Sequence, residues 1–107
     1  MPASRTVLQE ALTSANVKAF LRAIRLGEGT SDDLGYHRLV GGGEFDDLSR
    51  HPGQKIWLER YQIWSSAAGA YQFILPTWRS LVQQYGFRDF SEATQDEAAV
   101  ALILEKN

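Results

Sequence analysis

Val17-Lys18-Ala19-Phe20-Leu21-Arg22-Ala23-Ile24-Arg25-Leu26-Gly27-Glu28-Gly29-Thr30 is the stretch on which the reading of the fold turns. Val17, Phe20, Leu21 and Ile24 recur at i, i+3, i+4 and i+7, which is one apolar face of a helix. Asn16 is the predicted N-cap and Gly27 the predicted stop. Glu28 then stands between two glycines, where the helical pattern gives way to a loop rich in glycine, aspartate and aromatics. An acid there can lean on the helix on one side and open to a groove on the other. An apolar wall beside it would disfavour the ionised form, which suits a proton donor. Position alone fits a solvated, inert helix-ending Glu as well.

Working outward, residues 29–55 are broken by Gly29, Gly35, Gly41, Gly42, Gly43 and Gly53, and read as a small β-hairpin region. Residues 56–64 fit either a further strand or a loop. Residues 65–74 are predicted to return to helix. Pro76 suits the first position of the next helix and Gly86 its end, with Trp78, Leu81, Val82 and Tyr85 as the apolar face. Thr94-Gln95-Asp96-Glu97 reads as a capping box before a helix over 98–105. Upstream, Val7, Leu8, Ala11 and Leu12 have helical spacing, so residues 1–15 form an N-terminal arm or short helix and 16–107 the domain proper. The expected class is α+β, mainly helical, with a small β-hairpin lobe and a helical lobe. The last helical pattern runs into Lys106-Asn107 without a glycine or proline, which leads us to expect a chain short at its C-terminus.

With 107 residues, one domain is expected. The net charge is −2 and no basic stripe is present, which argues against a nucleic-acid partner. Without cysteine there is neither a disulfide framework nor a thiolate metal site. No apolar run approaches the ~20 residues of a membrane span, and Met1–Glu10 lacks the apolar core of a secretory signal. His37 and His51 lack the supporting ligand spacing for zinc, and Gly41-Gly42-Gly43 lacks the Lys-Ser/Thr of a phosphate loop. No metal and no cofactor are therefore expected.

The motifs recur in a set order. Glu28-Gly29-Thr30 is followed by Tyr36, Val40-Gly41-Gly42, Phe45, Asp47, Ser49 and His51-Pro52. Then come Ser65-Ser66-Ala67-Ala68-Gly69-Ala70-Tyr71-Gln72-Phe73, Thr77-Trp78, Gly86-Phe87, Asp89-Phe90-Ser91 and Gln95-Asp96. In this order they resemble the phage lambda lysozyme (endolysin) family over about residues 17–107. The resemblance implies a lysozyme-like fold and a peptidoglycan lytic transglycosylase. It implies Glu28 as the catalytic acid and Tyr71 and Gln72 on a segment facing the sugar cleft. It also implies Tyr36, Phe45 and the Ser65-Ser66 pair in or beside the wall of the β lobe, as substrate-binding positions. Two positions depart from the pattern: Ala70 stands where a basic residue is common, and His37 where the lambda-type sequence has an acid.

Glycosidic cleavage needs a proton on the leaving oxygen and a group to capture the oxocarbenium-like carbon. In a lytic transglycosylase the C6 hydroxyl of N-acetylmuramic acid makes the capture and one carboxyl suffices, acting as acid and then as base. The rival is hydrolysis by Glu28 with Asp46 or Asp47, which read equally as turn aspartates capping local amides. A further alternative is an inactive peptidoglycan-binding remnant. Another is an enzyme completed by a missing C-terminal segment or a partner chain docked on an apolar face of the last helix. The expected setting is the host cytoplasm before release to the periplasm and cell wall, or the virion.

Overall fold

Ser4 and Ser14 begin the helical part of the molecule, each accepting a hydrogen bond from the amide three residues on, Val7 and Val17. The computed structural model describes residues 4–105. Ser4 opens α1 (Arg5–Ala11) and Ser14 opens α2 (Ala15–Glu28). Asn16 is therefore inside α2 rather than its cap. Gly27 does not end the helix either: the chain stays helical through Glu28, and Gly29 ends it in the left-handed conformation at φ 73°. A residue with a Cβ is strained at that φ, so the second glycine of the pair makes the stop.

After α2 come a short 3-10 turn, η1 (Gly35–His37), and isolated bridges pairing Arg38 with Glu44, Leu39 with Ala68 and Ala68 with Phe73. The regular hairpin lies later than the glycine pattern predicts. β1 (Ile56–Leu58) pairs antiparallel with β2 (Ile63–Ser65), with Trp57 opposite Trp64. Residues 65–74 are not helical. Gly69 at φ 86° and Gln72 at φ 55° turn the chain back so that Ala68 and Phe73 exchange hydrogen bonds of 3.1 and 2.9 Å. α3 (Leu75–Tyr85) starts only there, with Pro76 in its first turn and Gly86 at its end at φ 72°. α4 (Glu92–Glu105) begins earlier than its Thr94 signal predicts, because Ser91 Oγ accepts from Thr94 N at 3.3 Å. The result is a mainly helical α+β architecture with a small β lobe. Among the described residues no helix is long and apolar enough to cross a membrane.

Phe90 is fully buried at the centre of the core, edge-on to Trp78 at 4.7 Å between ring centroids and to His51 at 5.0 Å. Trp78 is thus a core residue, as its helix face predicts. α1 closes the side of the core: Leu8 is fully buried, and Arg5 makes a two-pronged contact with the buried Glu97 on α4 at 3.1 and 3.3 Å.

His51 locks the loop before β1. Its Nδ1 accepts from Gly53 N at 2.9 Å, so the ring proton lies on Nε2, which donates to Phe73 O at 2.7 Å. Burial holds its pKa below the usual imidazole value, outweighing the Phe73 carbonyl, which favours the proton. Unfolded His51 therefore takes up a proton at a higher pH than folded His51 does. Stability is fully present above about 6.5 and is lost as pH falls through that value toward the folded pKa. Thermal midpoints taken through this range should fall on acidification, and His51→Gln should flatten the dependence.

Candidate active site

Glu28, Gly29 and Thr30 divide the work of one turn. Thr30 is fully buried, and its hydroxyl donates to Ala70 O at 2.5 Å. Its amide donates to Arg25 O at 2.9 Å. Arg25 in turn spends its guanidinium on the Thr30 and Asp32 carbonyls, at 2.6–2.9 Å. With the loop pinned from both sides, Glu28 at the helix end is left exposed. Among the described residues its carboxyl makes no hydrogen bond and no ion pair, so both oxygens are available to a ligand.

Glu28 opens on a cavity of about 480 Å³ walled by Gly27, Gly29, Arg38, Leu39, Val40, Gly41, Gly42 and Gln72. Glu28 is the sole acid in this lining. Leu39 and Val40 are the bulky apolar residues of this wall, and glycines make up much of the rest. Gln72 is half-buried, and its Nε2 donates to Gly69 O at 2.8 Å and Arg38 O at 3.2 Å. Those bonds fix the amide through its nitrogen, leaving Oε1 as its remaining acceptor.

None of the other residues expected to bind substrate lines this cavity. Tyr36 and Tyr71 both donate to Asp96 Oδ1, at 2.9 and 2.6 Å, and Arg25 stacks on the Tyr36 ring at 4.5 Å. Burial, reinforced by the Asp96 charge, pushes the Tyr36 phenol up to about 12 and raises Tyr71 as well. Burial also raises Asp96, against the two tyrosine hydrogen bonds. This cluster borders a separate hollow of about 210 Å³ with Lys18, Arg22 and Arg25. Phe45 packs between His37 and Phe90, at 5.9 and 6.0 Å. Ser65 Oγ accepts from Ala67 N at 3.2 Å, and Ser66 Oγ accepts from Leu75 N at 2.8 Å at the start of α3. Both hydroxyls thus satisfy backbone amides. Asp47 accepts from Ser49 N at 2.8 Å, and Ser49 holds its carboxyl below the usual range; Asp46 is exposed.

Arg38 is the cavity residue that the sequence reading passed over. Its Nη2 pairs with Asp32 at 2.6 Å, while its buried Nε has no hydrogen-bond partner among the described residues. It supplies a cation to the cavity where Ala70 supplies none. No local motif marks it; only the strand-like pairing of residues 38–44 over the turn at Gly69 brings it there. A hollow of similar size, about 470 Å³, lies between α2 and α4, but it is apolar and holds no acid.

Residues 18–107 match the family described as Endolysin. The chain is 36% identical over 95 residues to the endolysin of Escherichia phage lambda, covering 83% of this chain and 60% of that protein. It is 32% identical over 109 residues to the endolysin of Escherichia phage P2, covering 88% and 66%. Among solved structures it is similar to lysozyme from bacteriophage lambda, with TM-score 0.77 and 35% identity over 83% of this chain and 61% of that one. The same lysozyme complexed with a chitohexasaccharide gives TM-score 0.78 and 36% identity at the same coverage. The chain thus spans 60–66% of the length of these relatives.

Proposed function

Because this chain belongs to the endolysin family, we propose that it cleaves the β-1,4 bond between N-acetylmuramic acid and N-acetylglucosamine in peptidoglycan by the lytic transglycosylase route. The observation that carries this reading is a cavity with one carboxyl. Glu28 has no second acid in the lining, and Asp47 is committed to a turn amide. A hydrolase with two working carboxylates needs both groups to flank the scissile bond.

Glu28 gives its proton to the leaving oxygen at O4 of N-acetylglucosamine as the bond to C1 breaks. The carboxylate so formed then takes the proton of the C6 hydroxyl as that oxygen closes on C1. The product is a 1,6-anhydro sugar, Glu28 ends protonated, and no water is consumed. Gln72 Oε1 is an acceptor for an N-acetyl N–H, and Arg38 is a cation for the carbonyl or carboxylate oxygens of the muramyl unit. Binding at these groups orients the C6 hydroxyl, which replaces water as the nucleophile.

The test is digestion of purified peptidoglycan with mass analysis of the products. Anhydro-muropeptides are expected. Products ending in reducing muramic acid would turn the reading to hydrolysis. A folded chain giving no products would turn it to a binding remnant, or to an enzyme that needs a further segment.

A further inference from the structure

We propose that Arg38 is the residue by which this site tells N-acetylmuramic acid from N-acetylglucosamine, its guanidinium taking the carboxylate of the lactyl group at C3. This rests on the glycan-cleaving reading above and adds the choice of sugar to it. The two sugars alternate along the strand and both carry an acetamido group at C2, so an acceptor such as Gln72 Oε1 serves either. They differ at C3, where one has a hydroxyl and the other a lactyl ether. A side chain that reads C3 therefore decides which linkage comes to Glu28. Arg38 lines the cavity with Glu28 and Gln72. Its own carbonyl accepts from Gln72 Nε2 at 3.2 Å and from Gly69 N at 2.8 Å. The acetamide acceptor and the cation are thus tied together through the main chain, as the C2 and C3 substituents are through adjoining ring carbons.

The guanidinium is held ready without being used up. Nη2 pairs with Asp32 Oδ2 at 2.6 Å, and the buried Nε has no hydrogen-bond partner among the described residues. A buried donor without an acceptor is costly, and a carboxylate arriving at the Nε–Nη2 edge supplies one. The ion pair is also lopsided: the Arg38 side chain is 21% exposed and that of Asp32 56%. The Asp32 carboxylate can return to water while Arg38 stays. The loop does not depend on that carboxylate, because the Asp32 carbonyl is held by Arg25 Nη2 at 2.9 Å and by Gly35 N at 3.0 Å. A lactyl carboxylate replaces what Asp32 offers and adds a partner for Nε. A neutral sugar offers no charge in exchange, so Asp32 keeps the cation and the sugar gains nothing from it.

The experiment uses the Glu28→Gln chain as parent, so that bound glycan is not consumed. One probe is a peptide-free tetrasaccharide of alternating N-acetylglucosamine and N-acetylmuramic acid, whose lactyl groups end in carboxylates. The other is chitotetraose, which has the same acetamido groups and no lactyl group. The parent should favour the muramyl probe. Arg38→Met in that background should cut the preference about tenfold, the loss of one charge-assisted contact. Asp32→Asn, which leaves the cation and removes its competitor, should raise the preference roughly threefold. A gain of that kind does not come from a damaged fold, and circular dichroism will confirm that each variant is folded. An unchanged preference in Arg38→Met overturns the proposal, whether both affinities hold or fall together. A lower or unchanged preference in Asp32→Asn overturns it too, because Asp32 would then not be competing for the cation. A parent that binds both probes alike removes the choice of sugar and leaves the glycan reading standing. A parent that binds neither removes the glycan reading itself.

Discussion

Glu28→Gln should lower peptidoglycan cleavage by about 10²–10⁴-fold, the usual contribution of a general acid–base group, while leaving the fold intact. The carboxyl makes no hydrogen bond or ion pair among the described residues, and the side chain is exposed. The turn around it is held by Thr30, Arg25 and Ala70 instead. Gln has nearly the same shape and still accepts a hydrogen bond, but it cannot deliver a proton to a glycosidic oxygen. The loss should therefore fall on kcat, with KM nearly unchanged. The thermal midpoint should stay level or rise slightly, because an anion at the last turn of α2 faces the negative end of the helix dipole. A rate collapse without destabilisation would mark a residue kept for chemistry. Retention of the parent rate would remove Glu28 from the mechanism.

The parts of this fold that depend on short-range signals were legible in the sequence. The apolar faces of α2 and α3, the Gly86 stop and the burial of Trp78 follow from periodicity and from the conformational freedom of glycine. What failed was local pattern where tertiary contacts decide. Residues 65–74 carry alanines and apolar residues that favour helix. Gly69 and Gln72 are held instead at positive φ by their bonds to Arg38 O, while Ala70 N beside them bonds to Gln95, and neither distant partner is announced by adjacent sequence. Residues 56–64 fit strand and loop alike in the sequence for a related reason. Their one apolar-to-polar alternation was blurred by tryptophans on the exposed face. Within the site, Glu28 and Gln72 share a cavity, while the hydroxyl groups of Tyr36, Tyr71, Ser65 and Ser66 bond to Asp96 and to backbone amides. Residue type and order point to a region of the molecule, but not to which side of the chain a side chain faces.

Gln95→Leu should destabilise the protein by about 3–5 kcal/mol, because it strands buried backbone groups at roughly 1–3 kcal/mol each. Gln95 is fully buried at the start of α4, and its amide is saturated. Oε1 accepts from Ala70 N at 2.9 Å, and Nε2 donates to Phe90 O at 2.8 Å and Tyr36 O at 3.1 Å. One side chain thus joins the turn carrying Gln72, the segment entering α4 and the η1 turn. Leu matches its volume but satisfies none of the three. The neighbouring glycine shows how closely the site is built. A Cβ on Gly69 would overlap Gln95 Oε1 and stand 2.9 Å from Phe90 Cζ, so the amide fills the space a side chain would take. A loss of this size is a large share of the ~5–15 kcal/mol that holds a small domain together. Denaturant unfolding should show it as a lower midpoint, whereas Leu at the exposed Gln83 should shift stability by less than about 0.5 kcal/mol. Gln95→Glu separates the terms: it keeps the acceptor for Ala70 and loses both donations, so it should also destabilise unless it is protonated. A Gln95→Leu protein as stable as its parent would mean that the three backbone groups find water instead. The turn that presents Gln72 to Glu28 would then owe its shape to Gly69 and Thr30 alone.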